Sequence, residues 1–183
     1  MRQQWRVAVN VLAFVMVTYV FCILQTSFRP LSGVTWLRWL PPPTNWLPPL
    51  VYLGLYRKPL EGVITSYFVV LSFSQFTVTS LGLLWLIGLA VFCFCQLVKS
   101  RVFFNGGLYF LLLCCFSSVV YNVTHVLASW AAESHPMGVP HIGRWLGEFL
   151  VMPVSAIPYF LILSLVDNLT QKAPLTEMSR ERL

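Results

Sequence analysis

A short list of polar residues interrupts long apolar stretches of this chain: Asn10, Gln75, Asn122, His125, Glu148 and Asp167. Each invites a chemical explanation, because hydrocarbon offers a buried amide, imidazole or carboxylate no partner and such groups then mark function or specific pairing. Asn122 and His125 stand three apart, on one face of any helix that carries them, and Glu148 lies at a comparable distance from the start of the next apolar stretch. Two readings are open for this trio: a small ligand site, or interhelical hydrogen bonds worth about 0.6 to 2 kcal/mol each. Asp167, with Lys172 beyond it, is expected to reach out to the headgroups.

Catalytic patterns do not assemble from the rest. Serines and histidines are present, but the chain carries no nucleophile elbow, zincin motif or phosphate-binding glycine loop. The expectation is a protein that is not an enzyme and has no cofactor. Cys22, Cys93, Cys95, Cys114 and Cys115 all fall within apolar stretches, and neither close pair has the two-to-four-residue gap of a zinc-ligand motif. They read as packing residues, and no metal is expected.

The elements that must position these residues follow from composition. With 57% hydrophobic and only 10% charged residues among 183, the chain is suited to lipid as its solvent. Charges mark the ends of apolar segments because they are costly in the hydrocarbon layer. Read this way, the spans are about 7–24, 43–56, 62–79, 81–98, 107–130 and 145–169, with 170–183 a cytoplasmic tail. The expected fold is all-α: a polytopic membrane protein, one compact bundle of six transmembrane helices with short second and third spans. If the second segment were a re-entrant hairpin, Arg57 and Lys58 would sit near mid-membrane at about 2.5 to 3.5 kcal/mol per charge, so two short crossings are preferred.

Six crossings put both termini on one side. With the termini inside, the inner face collects Arg2, Arg6, Arg57, Lys58, Lys99, Arg101, Lys172, Arg180 and Arg182, leaving Arg29, Arg38 and Arg144 outside. That bias makes both termini cytoplasmic. The first span exceeds a signal-peptide core and lacks a small-residue cleavage pattern, so it is read as an anchor. Positive charge spread over inner loops suits anionic headgroups, and no basic face is gathered for nucleic acid. Between Gln25 and Asn45, Trp36 and Trp39 lie among prolines, which fits either an aromatic belt at the headgroups or a docking surface for a partner.

The middle of the chain carries a resemblance. Leu24-Gln25-Thr26-Ser27, Pro43-Thr44-Asn45-Trp46-Leu47, the run Val51-Tyr52-Leu53-Gly54-Leu55-Tyr56-Arg57-Lys58-Pro59-Leu60-Glu61-Gly62, and Ser80-Leu81-Gly82-Leu83 are similar to the bacterial rod shape-determining protein family MreD. Ala156-Ile157-Pro158-Tyr159-Phe160 is similar to that family's closing proline-containing helix. The likeness covers most of residues 24 to 98; elsewhere it is one of hydropathy. The family's aspartate in the third span has no counterpart here, and Gln75 stands nearest to it within Ser72-Phe73-Ser74-Gln75-Phe76. An amide can make the same interhelical hydrogen bond, although not a proton-coupled one.

The resemblance implies a non-enzymatic subunit of the cell-elongation and peptidoglycan-synthesis machinery in the bacterial inner membrane. Its implied partners are a bitopic MreC-like protein, with the MreB filament, RodA and a class B penicillin-binding protein in the wider complex, besides membrane lipids. Candidate partner-binding residues are Trp36, Trp39, Gly54, Gln75, Gly82 and Gly88, with Asn10 and Gly62 as further contact points, since small residues allow helices close approach. The competing reading is the substrate-binding subunit of an energy-coupling-factor vitamin transporter, also small and six-spanned. The alanine spacing of that group's coupling surface is not met by Ala8 and Ala13, which are five apart.

Overall fold

The computed structural model describes residues 2–28, 44–101, 106–132 and 142–170. They form six helices: α1 (Arg2–Phe28), α2 (Leu47–Tyr56), α3 (Pro59–Ser74), α4 (Leu81–Arg101), α5 (Gly107–Ala132) and α6 (Ile142–Leu169). Among the described residues, four stretches are long and apolar enough to cross a membrane, namely Val7–Thr26, Leu81–Arg101, Gly107–Ala131 and Trp145–Leu169, and α2 and α3 are shorter apolar helices. Trp36 and Trp39 lie outside the described residues, as do residues 171–183 of the expected tail.

Proline sets the boundaries of the short helices. Pro48 and Pro49 occupy the first turn of α2, where their missing N–H groups cost no intrahelical bond. Pro59 opens α3 in the same way and holds the preceding Lys58 in extended backbone, at φ −67° and ψ 146°, which separates the two helices. The third helix therefore begins earlier than the charge-based reading of 62–79 and ends earlier too, at Ser74. Gly106, at φ +128°, makes the turn into α5 in a conformation that glycine adopts freely.

The helices are arranged as a ring with an axis. Around the ring, α1 packs on α3, α3 on α4, α4 on α5, α5 on α6, and α6 back on α1, while α2 packs against α3, α4, α5 and α6. The axial helix also meets α1, through Phe14 and Tyr52 with ring centroids 5.6 Å apart. Every residue from Leu47 to Tyr56 is buried. A helix apolar on all sides suits a protein interior or lipid, and here it lies in the protein interior.

At about 1.5 Å per residue, α2 is about 15 Å long, half of a hydrocarbon core of about 30 Å. Lipid would not tolerate that length unaided. Here α2 is sheathed by protein, where the length needed to span does not apply. Close packing around it uses glycine: a methyl added at Gly54 would lie 2.6 Å from Cys95 Cβ, and one at Gly88 would lie 2.9 Å from Val70 Cγ2.

Candidate functional site

The ring gathers polar residues at both of its ends. At one end lie the beginning of α1, the turn between α2 and α3, and the last turns of α4 and α6. Here Arg57 and Asp167 form a salt bridge with both side chains only 3% exposed. Asn10 joins them: its Nδ2 donates to Asp167 Oδ1 at 3.0 Å and to Thr170 Oγ1 at 2.9 Å, and its Oδ1 accepts from Arg57 Nη2 at 3.1 Å. The second carboxylate oxygen of Asp167 accepts from the Tyr52 hydroxyl at 2.8 Å. The Arg57 guanidinium lies 5.4 Å from the centre of the Phe14 ring, and its Nε is 3.9 Å from Glu61.

The end of α2 is secured on its other flank. Gln96 Nε2 donates to the Gly54 carbonyl at 2.9 Å and Lys99 Nζ to the Arg57 carbonyl at 3.3 Å. These carbonyls belong to the last turn of α2, which has no intrahelical donors for them. Two side chains of α4 thus supply donors where the helix runs out.

Asp167 does not reach out to the headgroups as its position near the chain's end suggests; it points into the bundle. The reason is helical phase. Met152, Ala156, Tyr159, Leu163 and Asp167 are all buried and fall three or four residues apart along α6. The carboxylate continues the inward stripe and finds its counter-ion at the end of the axial helix. Asn10 opens an equivalent stripe in α1, followed by Phe14, Thr18 and Cys22, all buried. These periodicities were available in the sequence. The identity of the cation was not, because Lys172 is far nearer to Asp167 along the chain than Arg57.

At the opposite end, Asn122 Nδ2 donates to Glu148 at 2.6 Å and to the Ser118 carbonyl at 3.0 Å, joining α5 to α6. Glu148 is 7% exposed. Such a short bond to a carboxylate is a strong one, and it ties two neighbouring helices of the ring together. The His125 ring lies 5.6 Å from that of Tyr121, whose far side meets Trp46 edge-on at 5.6 Å. Trp46 in turn stacks on Phe73 at 5.1 Å. An aromatic layer from α3, α5 and the start of α2 therefore underlies this end.

The glycines expected at a partner surface divide into two groups. Gly54 and Gly88 are consumed by packing around α2, as is Gly62, where an added methyl would lie 2.7 Å from the Phe92 ring. Gly82 has open space around its Cα, and Gln75 is exposed at the end of α3. Gly82 lines an apolar groove of about 470 Å³ between the start of α4 and the end of α5, together with Leu83, Leu86, Thr124 and Ala128.

No family model, curated protein or solved structure matches this chain. Among the described residues, no three histidines, cysteines or acids cluster as metal ligands. Four of the five cysteines are buried, all five are free, and Cys95 Sγ lies 3.6 Å from Ser117 Oγ. Around Arg57 and Asp167, charge is neutralised across helices and backbone carbonyls receive side-chain donors, whereas the Trp46 indole N–H and the Tyr159 hydroxyl are buried without a hydrogen-bond partner.

Proposed function

We propose that this chain is a non-enzymatic membrane subunit whose work is to hold the transmembrane helix of another protein, and that it belongs to the cell-elongation machinery that its resemblance to the rod shape-determining MreD family implies. In this reading the first partner is a bitopic MreC-like protein, with both termini of the present chain cytoplasmic in a bacterial inner membrane.

One observation carries the reading: the centre of the ring is filled by α2, and a concave apolar surface lies on the outside, at the α4–α5 groove. A carrier of small polar molecules needs its concavity inside, lined with convergent polar groups. A helix-binding subunit needs it outside, with small residues at the floor so that two backbones approach closely. Gly82 and Ala128 supply that floor. The exposed Gln75 amide, six residues before the start of α4, is available to a polar group on an incoming helix.

The test is co-purification of the MreC-like protein with tagged full-length chain carrying Gly82→Leu together with Ala128→Leu. Recovery is expected to fall at least fivefold while the yield of folded subunit stays at the unsubstituted level. Equal recovery would remove the groove from the interface. Capture of ATPase subunits or a stoichiometric vitamin by the unsubstituted chain would replace this reading with the transporter one.

A further inference from the structure

The axial helix presents a mechanical problem that its neighbours solve at one end only. From Leu47 to Leu55 it is an apolar cylinder apart from the Tyr52 hydroxyl, and it is shorter than the helices around it. Apolar packing holds such a cylinder in place by shape, while its polar restraints sit together at the C-terminal end. These are Tyr52 to Asp167, Arg57 to Asp167 and Asn10, Gln96 to the Gly54 carbonyl, and Lys99 to the Arg57 carbonyl. At the other end, the Trp46 indole N–H is buried with no hydrogen-bond partner, so it adds no polar restraint.

We propose that the Arg57–Asp167 contact is a latch that sets the depth of α2 within the ring. The latch is cross-element: Asp167 comes from the last helix, Arg57 from the end of the axial one, and Asn10 of the first helix bridges both. Arg57 carries a charge into a place where only an opposite charge keeps it. Without Asp167, the guanidinium keeps only the half-buried Glu61 as a counter-charge and gains by moving toward the water beyond its own turn, where Lys58 and Pro59 are already exposed. It takes α2 with it, since Arg57 follows Tyr56 directly and its N–H donates to the Leu53 carbonyl at 3.1 Å. Asp167 is thus a positioning residue, acting on α2 through Arg57.

A native thiol reports the position of α2. Cys95 is fully buried because Gly54 of α2 covers it at contact distance, one turn below Lys99. If α2 shifts outward, the Gly54 backbone leaves Cys95 and water reaches it from that end. Cys22 is equally buried, but in α1, three turns from Asn10. It reports general loosening instead.

The experiment uses the full chain in lipid nanodiscs, a charged maleimide, and peptide mapping to give labelling rates at Cys95 and Cys22 separately. Arg57→Asp and Asp167→Arg are each expected to raise labelling of Cys95 at least tenfold and to leave Cys22 within twofold. The double reversal, which restores opposite charges, is expected to return Cys95 to within threefold of the unsubstituted rate. Should the reversals not accumulate, Asp167→Asn decides the matter: it removes the charge, keeps an oxygen acceptor, and is expected to raise Cys95 labelling about threefold. The latch is refuted if Cys95 does not respond to loss of the Asp167 charge, if Cys22 rises in parallel with it, or if the double reversal labels as fast as the single ones.

Discussion

Single residues of this chain are interpretable once their neighbours are known, and the glycines show it best. Gly54 and Gly82 have the same chemistry and opposite surroundings. A methyl at Gly54 meets Cys95 at 2.6 Å, whereas one at Gly82 meets nothing within 4 Å. Gly54→Ala is therefore expected to lower stability by about 1 to 3 kcal/mol through overpacking, and Gly82→Ala to leave it within about 0.5 kcal/mol. Thermal unfolding in detergent, read by retention of the monodisperse species, checks both. Equal effects would mean that the axial helix does not pack against α4 as described. Asn122 is a second case. Asn122→Ala removes the 2.6 Å donor to Glu148 and is expected to cost about 0.6 to 2 kcal/mol in the same assay. Hydropathy placed Asn122, His125 and Glu148 at similar depth as interruptions of apolar runs, and the structure joins Asn122 to Glu148. Hydropathy did not separate the packed glycines from the open one, since that distinction depends on which helix lies opposite.

Among the elements, α2 is where local sequence and tertiary structure part company. Its limits are legible: prolines at 48 and 49 open it, Pro59 closes the turn after it, and the helix they bound is ten residues long. Its place is not legible, because a helix that is apolar all round satisfies either lipid or a protein interior, and only the ring decides. The inward turn of Asp167 was in principle readable from the stripe Met152, Ala156, Tyr159, Leu163, yet nearness to the chain's end argued for the headgroups. Tertiary pairing overrode proximity along the chain. The same dependence on neighbours governs the end of α2, where Gln96 of α4 donates to the Gly54 carbonyl. Gln96→Leu leaves that carbonyl without its side-chain donor and is expected to destabilise the bundle by about 1 to 3 kcal/mol. The reverse outcome, a Gln96→Leu variant as stable as the unsubstituted chain, would show that the last turn of α2 satisfies its carbonyls by other means.

For the molecule as a whole, the question is which way the bundle faces. Asn10 near the start of α1 bonds to Asp167 near the end of α6, so the first and last helices have their outer termini at the same end of the ring. The turn with Arg57 and Lys58 is at that end, and so are Lys99 and Arg101 in the last turn of α4. Four of the chain's basic residues thus converge there in space, not merely in alternate loops. Arg57 is neutralised by Asp167, which leaves Lys58, Lys99 and Arg101 as the charges able to act on insertion. Positive charge close to the ends of spans favours the cytoplasmic side. A reporter fluorescent only in the cytoplasm, fused after residue 183, is expected to be bright, and an exported phosphatase fused at the same point to be inactive. Replacing Lys58, Lys99 and Arg101 together by glutamine is expected to lower the fluorescence severalfold, through a mixed population of orientations. Arg57→Gln alone is expected to act differently: it removes a charge that is already paired, so it reduces the amount of folded protein without changing the ratio of the two reporters. A changed ratio for Arg57→Gln would mean that this residue faces water while the chain inserts and is drawn into the bundle only when α6 arrives.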